Sequence, residues 1–436
     1  MTDPRTLLNE AAMRPGQIVA ILLCILLNAL DGFDVLAISF ASPGIAAEWG
    51  IDRAELGIVL SMELIGMAGG SVALGSVADR IGRRPTILIC LVLMGMGMLG
   101  AGFASSVLIL SAVRLVTGLG IGGMLACTNA MVAELANSRT RSLAVTVMAA
   151  GYPIGAILGG TVASMLLVAG GWREVFLFGA LVTGVFLPLV AWLLPESVGF
   201  ILQKRPADAL EKMNAALRSL GHETVEALPP ADPVASKTSI VALFAPRFAP
   251  VTILLTIAYF AHIMTFYFLL KWVPKIVVDL GFAPSAAGSV LVWTNVGGLA
   301  GALLLGFLTW RVPIRTLVIA AMIGAVIMVN AFGQGQSTLV GLTWIAAATG
   351  FFTNAGVVGL YAIIAQSFPT SIRGAGTGMV IGFGRGGAAL GPVVAGVLFN
   401  MNFGLPIVAL AMALGSLIAA LSLIMLGKFK AVGAEA

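Results

Sequence analysis

Gly75-Ser-Val-Ala-Asp79-Arg80-Ile-Gly82-Arg83-Arg84 returns in the second half of the chain as Gly306-Phe-Leu-Thr-Trp310-Arg311-Val-Pro-Ile-Arg315. Around this stretch the second half of the 436-residue chain echoes the first at a nearly constant offset. Thr117, Gly118, Ala133, Arg141, Gly155 and Gly159 recur as Thr349, Gly350, Ala365, Arg373, Gly387 and Gly391. The echo fails where charge matters. Asp79 becomes Trp310, Glu134 becomes Gln366, and Pro153 becomes Arg385. A duplicated apolar bundle with an unmatched arginine in one half is the ground plan of a secondary transporter.

Composition places the chain in a bilayer. Hydrophobic residues make up 59% and charged residues 10%, against roughly 25% charged in an average soluble protein. About 20 apolar residues span the hydrocarbon core as a helix. Twelve segments of that kind are predicted, at about 17–41, 54–78, 85–105, 107–132, 142–168, 173–194, 250–273, 284–309, 314–332, 338–365, 372–398 and 403–427. The fold expected is an all-α membrane protein of two pseudo-symmetric six-helix bundles, 1–194 and 250–436, joined by a linker at 195–249. Glycine-rich spans such as Gly66–Gly75 and Gly374–Gly391 suit close helix packing in lipid. Met1–Gly16 lacks the layout of a cleavable signal.

Positive charge sets the expected orientation. Of 24 Lys and Arg, 18 fall in segments on the side of the termini and the linker. Four fall on the other side (Arg53, Arg173, Lys271 and Lys275), and Arg114 and Arg385 lie inside spans. The positive-inside rule then puts both termini and the linker in the cytoplasm. The net charge of +5 is this topological signal and gives no reason to expect nucleic acid. In the linker, Leu210, Met213 and Leu217 have helical spacing within Pro206–Leu220, which predicts a short surface helix. Pro229 to Pro233 reads as irregular. Cys24, Cys90 and Cys127 all sit in spans, with no disulfide or metal spacing.

The motifs resemble one family. Gly75-x-x-x-Asp79-Arg80-x-Gly82-Arg83-Arg84 between spans 2 and 3 closely resembles the signature loop of the major facilitator superfamily. Arg114-x-x-x-Gly118-x-Gly120 and Gly151-Tyr152-Pro153-x-Gly155-x-x-x-Gly159-Gly160 are similar to two further patterns of it. Within it, Asp31-Gly32-Phe33-Asp34, Pro369-Thr370-x-x-Arg373-Gly374 and Gly384-Arg385-x-Gly387 resemble the aromatic acid:proton symporters. The resemblance covers essentially the whole chain and implies alternating access in a bacterial inner membrane. The second loop, with Trp310 for the acid, departs from the pattern, as does Val198-Gly199 after Pro195-Glu196-Ser197.

Ionisable groups inside a membrane are costly and point to function. Asp31 lies about 21 Å along span 1, with Asp34 one turn further on the same face. Arg114, about 10 Å from its end of span 4, reaches the level of Asp34, so an ion pair is expected, either static or part of a proton site. Glu63, about 14 Å inside span 2, is a second proton-linked acid or a structural partner for Arg114. Glu134 lies near Arg139 and Arg141, and a salt bridge is expected there. Together with Asp79, Arg80, Arg83 and Arg84 these form the candidate conformational lock, in which Asp79 pairs with arginines or a helix N-terminus; plain anchoring by positive charge is the alternative.

Arg385 lies about 19 Å into span 11, near the bilayer midplane. Its guanidinium stays charged and can grip a carboxylate with two hydrogen bonds. The nearby sequence of the second half carries no acid, so either an anionic substrate or a group on another helix supplies the complementary charge. The superfamily resemblance implies that spans 1, 4, 7 and 10 line the cavity, with 5, 8 and 11 contributing. Tyr152, His262, Phe266, Tyr267, Trp293, Asn295, Asn354 and Tyr361 are then its candidate lining, each weighed against ordinary packing. Together they suit a flat ring through stacking and phenol hydrogen bonds. His262 could accept a proton near neutral pH or be a hydrogen-bonded structural residue.

No Gly-x-x-x-x-Gly-Lys loop and no metal-ligand spacing occurs, so neither cofactor, metal nor ATP-driven pumping is expected. The expectation is a non-enzymatic, monomeric, proton-coupled importer of a small aromatic carboxylate of benzoate or hydroxybenzoate type. The alternatives are transport of non-aromatic organic anions, or export. A sensor would need a further signalling domain, and a channel does not need duplicated halves.

Overall fold

The computed structural model of the protein describes residues 3–230, 243–369 and 372–427. The expected segments at 231–242, including Pro233, the Thr370 of its motif, and the C-terminal Lys428 and Lys430 lie outside the described residues. The described residues are helical almost throughout, and twelve of their helices are long and apolar enough to cross a membrane. Six precede the linker: α2 (Pro15–Trp49), α3 (Arg53–Ile81), α4 (Arg83–Gly102), α5 (Val107–Leu135), α6 (Arg141–Ala169) and α7 (Trp172–Leu193). Six follow it: α10 (Ala249–Asp279), α11 (Pro284–Leu308), α12 (Ile314–Gly333), α13 (Leu339–Gln366), α14 (Arg373–Asn400) and α15 (Leu405–Leu426). Short helices α1 (Pro4–Glu10), α8 (Val198–Lys204) and α9 (Ala209–Leu220) lie outside the spans.

Several helices outrun their apolar cores. α2 has 35 residues and carries Pro43 inside it, where the sequence predicted a span ending near Ala41. Hydropathy marks only the stretch that lipid must cover, whereas backbone hydrogen bonding continues into the polar end. Caps are legible locally: Ser106 accepts from the Ile109 amide at the start of α5, and Thr338 from the Gly341 amide at the start of α13.

The duplication extends to individual contacts. A Cβ placed on Gly155 in α6 would lie 1.8 Å from the Ala29 carbonyl oxygen of α2. Its repeat partner Gly387 in α14 would lie 2.1 Å from the Phe260 carbonyl of α10, and Ala29 and Phe260 are themselves repeat partners. Gly66 against the Leu115 carbonyl (2.2 Å) is matched in the same way by Gly297 against Ala347 (1.9 Å). At each place two helix backbones touch, and only a missing side chain permits it. The second copy packs α10 with α14 and α15, α11 with α13, and α12 with α13 and α15.

By packing, the described residues fall into two compact units. The first comprises 3–35, 66–156 and 176–230, and the second comprises 36–65, 157–175 and 243–427. The ends of α2, α3, α6 and α7 remote from the chain termini, here termed the far ends, thus belong with the second copy's helices.

In the linker, α9 buries Ala209, Met213, Ala216, Leu217 and Leu220. Leu210, expected on that face, is 38% exposed, because the buried stripe runs through 209, 213, 216 and 220 instead. Gly221, at φ +85°, ends the helix, and the His222 amide reaches back to the Leu217 carbonyl. Buried Gln17 accepts from the Arg14 amide and meets the His222 ring at 2.9 Å, while its amide donates to the Leu135 carbonyl. Burial, helped by nearby Arg14, lowers the His222 pKa below its ordinary value.

Candidate functional site

In the first unit, α2 turns Asp31 and Asp34 inward, at 1% and 0% exposure. Arg114 on α5 is fully buried beside them. Its Nη2 donates to the backbone carbonyl of Asp34 at 2.8 Å, and its Nη1 to the Met98 sulfur at 3.0 Å. Its guanidinium also stands 5.5 Å from the centre of the Phe176 ring. Arg114 and Asp34 are thus in contact through the main-chain carbonyl of Asp34. Gly179 on α7 leaves the space for it, since a Cβ there would press on Met98, Phe33 and the Asp34 carboxylate. Tyr152 is half-buried on α6, where its carbonyl abuts Gly32.

Near the chain-terminal ends of the same unit, the loop cluster assembles around a residue that sequence reasoning passed over. Glu196 accepts from the amides of Arg83 (2.8 Å), Arg84 (3.3 Å) and Ser197 (2.8 Å). It caps the open N-terminus of α4 with a negative charge. Gly82, at φ +108°, has the Glu196 carboxylate where a Cβ would stand, so glycine is required there twice over. Glu134 pairs with Arg83 at 2.6 Å and accepts from the Ser197 hydroxyl. This corrects the expected partnership with Arg139 and Arg141. Arg141 turns back to Asn9 and the Ala136 carbonyl, and Arg139 is exposed, because the chain leaves α5 at Ala136 and points this loop away from Glu134. Arg84 donates to the Ala191 carbonyl. Asp79 and Arg80 are exposed at the end of α3.

In the second unit Arg385 is half-buried near the middle of α14. Its chain neighbour Gly384 packs against the ring of Tyr259, whose hydroxyl is hydrogen-bonded to the Tyr361 hydroxyl at 3.0 Å. The two tyrosine rings lie 5.6 Å apart, Tyr259 buried and Tyr361 41% exposed. Tyr259 was not among the sequence candidates. Its signal lay in the repeat: the first copy has Asn28 and Tyr152 where the second has Tyr259 and Gly384. A Cβ on Gly384 would sit 1.9 Å from the Tyr259 ring, so the second copy has moved its aromatic from one helix to the other.

His262 has both ring nitrogens engaged. Nε2 donates to the Thr353 carbonyl at 2.9 Å, which leaves Nδ1 to accept from the Ser416 hydroxyl at 3.0 Å. Asn354 donates to the Gly298 carbonyl (2.8 Å), bridging α13 to α11, and Asn295 to Leu291 of its own helix (2.9 Å). Phe266 and Tyr267 form an edge-on pair at 5.3 Å, and Trp293 is 48% exposed. Tyr361 thus comes together with Tyr259, while His262 belongs to a network with Thr353 and Ser416.

Glu63 meets Lys271 of α10 at 3.1 Å, both side chains 0% exposed. The charge count of the sequence groups Lys271 with the far-side charges, whereas the structure buries it inside α10, which continues to Asp279. Cys24, Cys90 and Cys127 are buried free thiols. Among the described residues no group of His, Cys, Asp or Glu is placed to hold a metal ion.

A family model described as the Major Facilitator Superfamily matches residues 23–276 and 255–433. Among curated proteins, the gallate transporter of Pseudomonas putida is 31% identical over 97% of this chain and 94% of its own. The 4-hydroxybenzoate transporter PcaK of Pseudomonas aeruginosa is 28% identical over 98% and 96%. The 3-(3-hydroxy-phenyl)propionate transporter of Escherichia coli is 31% identical over 93% and 92%. A solved structure of the xylose transporter XylE from E. coli, in an inward open conformation, matches the fold with a TM-score of 0.72. It is 17% identical and covers 95% of this chain and 96% of its own.

Proposed function

The chain belongs to the Major Facilitator Superfamily, a family of membrane transporters rather than enzymes, and from that premise we propose that it is a proton-coupled symporter importing a small aromatic carboxylate. The observation that supports the substrate class is the hydrogen-bonded pair of hydroxyls on Tyr259 and Tyr361, with the Tyr259 ring packed on Gly384, the chain neighbour of Arg385. A guanidinium grips a carboxylate, and tyrosines offer ring faces and phenol hydrogen bonds to an aromatic ring. The full-length relatives are transporters of gallate, 4-hydroxybenzoate and hydroxyphenylpropionate, and all three ligands have a carboxylate on an aromatic skeleton.

Charge accounts for the coupling. At about two turns or more from any helix end, the acids Asp31, Asp34 and Glu63 are matched in number by Arg114, Lys271 and Arg385, so the formal charges there cancel. A bound carboxylate adds one negative charge in a medium where uncompensated charge is costly. One proton, taken by Asp31 or Asp34 in their buried cluster, restores neutrality and lets the loaded carrier reorient. Alternating access then carries one proton per anion. The clustering of Lys and Arg in the terminal-side segments supports cytoplasmic termini and linker in a bacterial inner membrane.

The test is uptake of radiolabelled benzoate, hydroxybenzoates and gallate into proteoliposomes, with and without an inward proton gradient. Accumulation of at least one acid driven by the gradient is expected. Indifference to every aromatic acid by folded protein would overturn the substrate class.

A further inference from the structure

The Glu63–Lys271 pair joins one copy to the other and is not repeated at the equivalent positions. The repeat puts Phe40 opposite Lys271 and Thr294 opposite Glu63. By helical rise Glu63 lies about 15 Å from the start of α3, and Lys271 about 12 Å from the end of α10. Both charges are therefore well inside the helices and sealed from water, at 0% exposure and 3.1 Å apart. At the far ends, the contact between α3 and the second copy joins a close backbone approach and a polar pair with buried apolar side chains. Gly57 would clash with the Pro392 carbonyl and with Gly396 if it had a Cβ. Arg53 pairs with Asp279 at 3.0 Å, partly exposed. Leu56, fully buried, lines a cavity there with Lys275, Val278 and Phe399.

We propose that Glu63 and Lys271 form the far-side latch of the transport cycle, with Lys271 the positioning residue that draws the far end of α3 onto α10. The proposal rests on the alternating-access reading above. A buried ion pair is suited to such a contact because its two states nearly balance. Closed, each charge has the other. Opened, each is hydrated by the water that enters. A hydrophobic pair at the same place would gain from closure and lose on every opening, so such a gate would stay shut. Glycine at 57 and 396 lets the helices meet and part without side chains having to disentangle.

The test is labelling of Leu56→Cys by a water-soluble maleimide, in protein whose Cys24, Cys90 and Cys127 are replaced by alanine. Labelling needs no knowledge of the substrate. In Glu63→Gln the closed state keeps a buried ammonium, so labelling is expected to rise by about tenfold or more as the open state gains. In the double variant Glu63→Leu/Lys271→Met the closed state is favoured, so labelling and transport are both expected to fall by about tenfold. The exchanged pair Glu63→Lys/Lys271→Glu is expected to restore both. A double variant that labels and transports as wild type does would make the pair a static brace and overturn the latch, even where the single variant fails to fold. If wild type moves no aromatic acid yet labelling shifts as described, the substrate reading fails and the latch stands.

Discussion

The two copies of the repeat share their scaffold and divide their charges. Gly155 on Ala29 and Gly387 on Phe260 are one contact made twice, as are Gly66 on Leu115 and Gly297 on Ala347. In contrast, Asp31 is matched by His262, Arg114 by Ala346, and Pro153 by Arg385. Backbone contacts fix the geometry of a bundle, and a glycine there has no substitute. Side chains away from those contacts are under no such constraint, so in the function proposed above one copy holds the acids and the other the cation for the anion. The duplicated positions thus mark architecture, and the unmatched ones mark chemistry.

The largest effects should come from breaking what the copies share. Gly155→Leu and Gly387→Leu each place a side chain onto a carbonyl of the neighbouring helix. Both are expected to cost at least the roughly 1–3 kcal/mol of overpacking and to yield no monodisperse protein on size exclusion. One tolerated and one lethal variant would show that the copies do not pack alike.

Next come the matched positions Asp31 and His262. A one-unit proton gradient is worth about 1.4 kcal/mol per proton, so wild type should accumulate its substrate about tenfold. Asp31→Asn is expected to reduce that accumulation while leaving exchange of labelled for unlabelled substrate. His262→Gln should instead lower the melting temperature, by loss of buried hydrogen bonds worth about 1–3 kcal/mol together, with accumulation intact. Accumulation lost in both would assign the histidine a share in coupling.

A smaller contrast separates Glu134 from Gln366. Glu134→Gln breaks a partly exposed pair with Arg83, worth about 0.5–1 kcal/mol after screening, and thermal unfolding should move down by about 1–3 °C. Gln366→Glu should leave it unchanged.

The smallest effect lies in α9, which has no repeat at all. The His222 pKa is lowered in the folded protein by burial. Its contribution to docking is therefore complete above the ordinary histidine value of about 6.5 and is lost as pH falls below it. Hydrogen exchange in α9 should quicken as pH falls from about 6.5 to about 5, and His222→Gln should abolish the change.

Much of this was open to reading in the chain. The duplication, the twelve spans, the buried Asp31, Asp34 and Arg114, and the position of Arg385 follow from hydropathy and spacing, because membrane thickness and helical rise turn residue number into depth. What escaped depends on neighbours distant in sequence. Glu196 caps α4 across 113 residues and Lys271 meets Glu63 across 208. Tyr259 depends on a glycine on another helix, Gly384. Glu134 was given the wrong arginine because proximity along the chain stood in for proximity in space. Lys271 stands at the edge of its apolar stretch, where hydropathy alone does not separate a far-side charge from a buried one.

The division of labour between the copies is best measured in one experiment with two variants. Proteoliposomes bearing Asp34→Asn or Arg385→Ala would be assayed for gradient-driven accumulation and for exchange of a radiolabelled hydroxybenzoate. Asp34→Asn is expected to lose accumulation and keep exchange, since the anion site is intact. Arg385→Ala is expected to lose both by about a hundredfold, the equivalent of about 3 kcal/mol for a charge-assisted pair. Equal loss of accumulation and exchange in the two variants, or exchange surviving in Arg385→Ala, would contradict a proton site in the first copy and an anion site in the second.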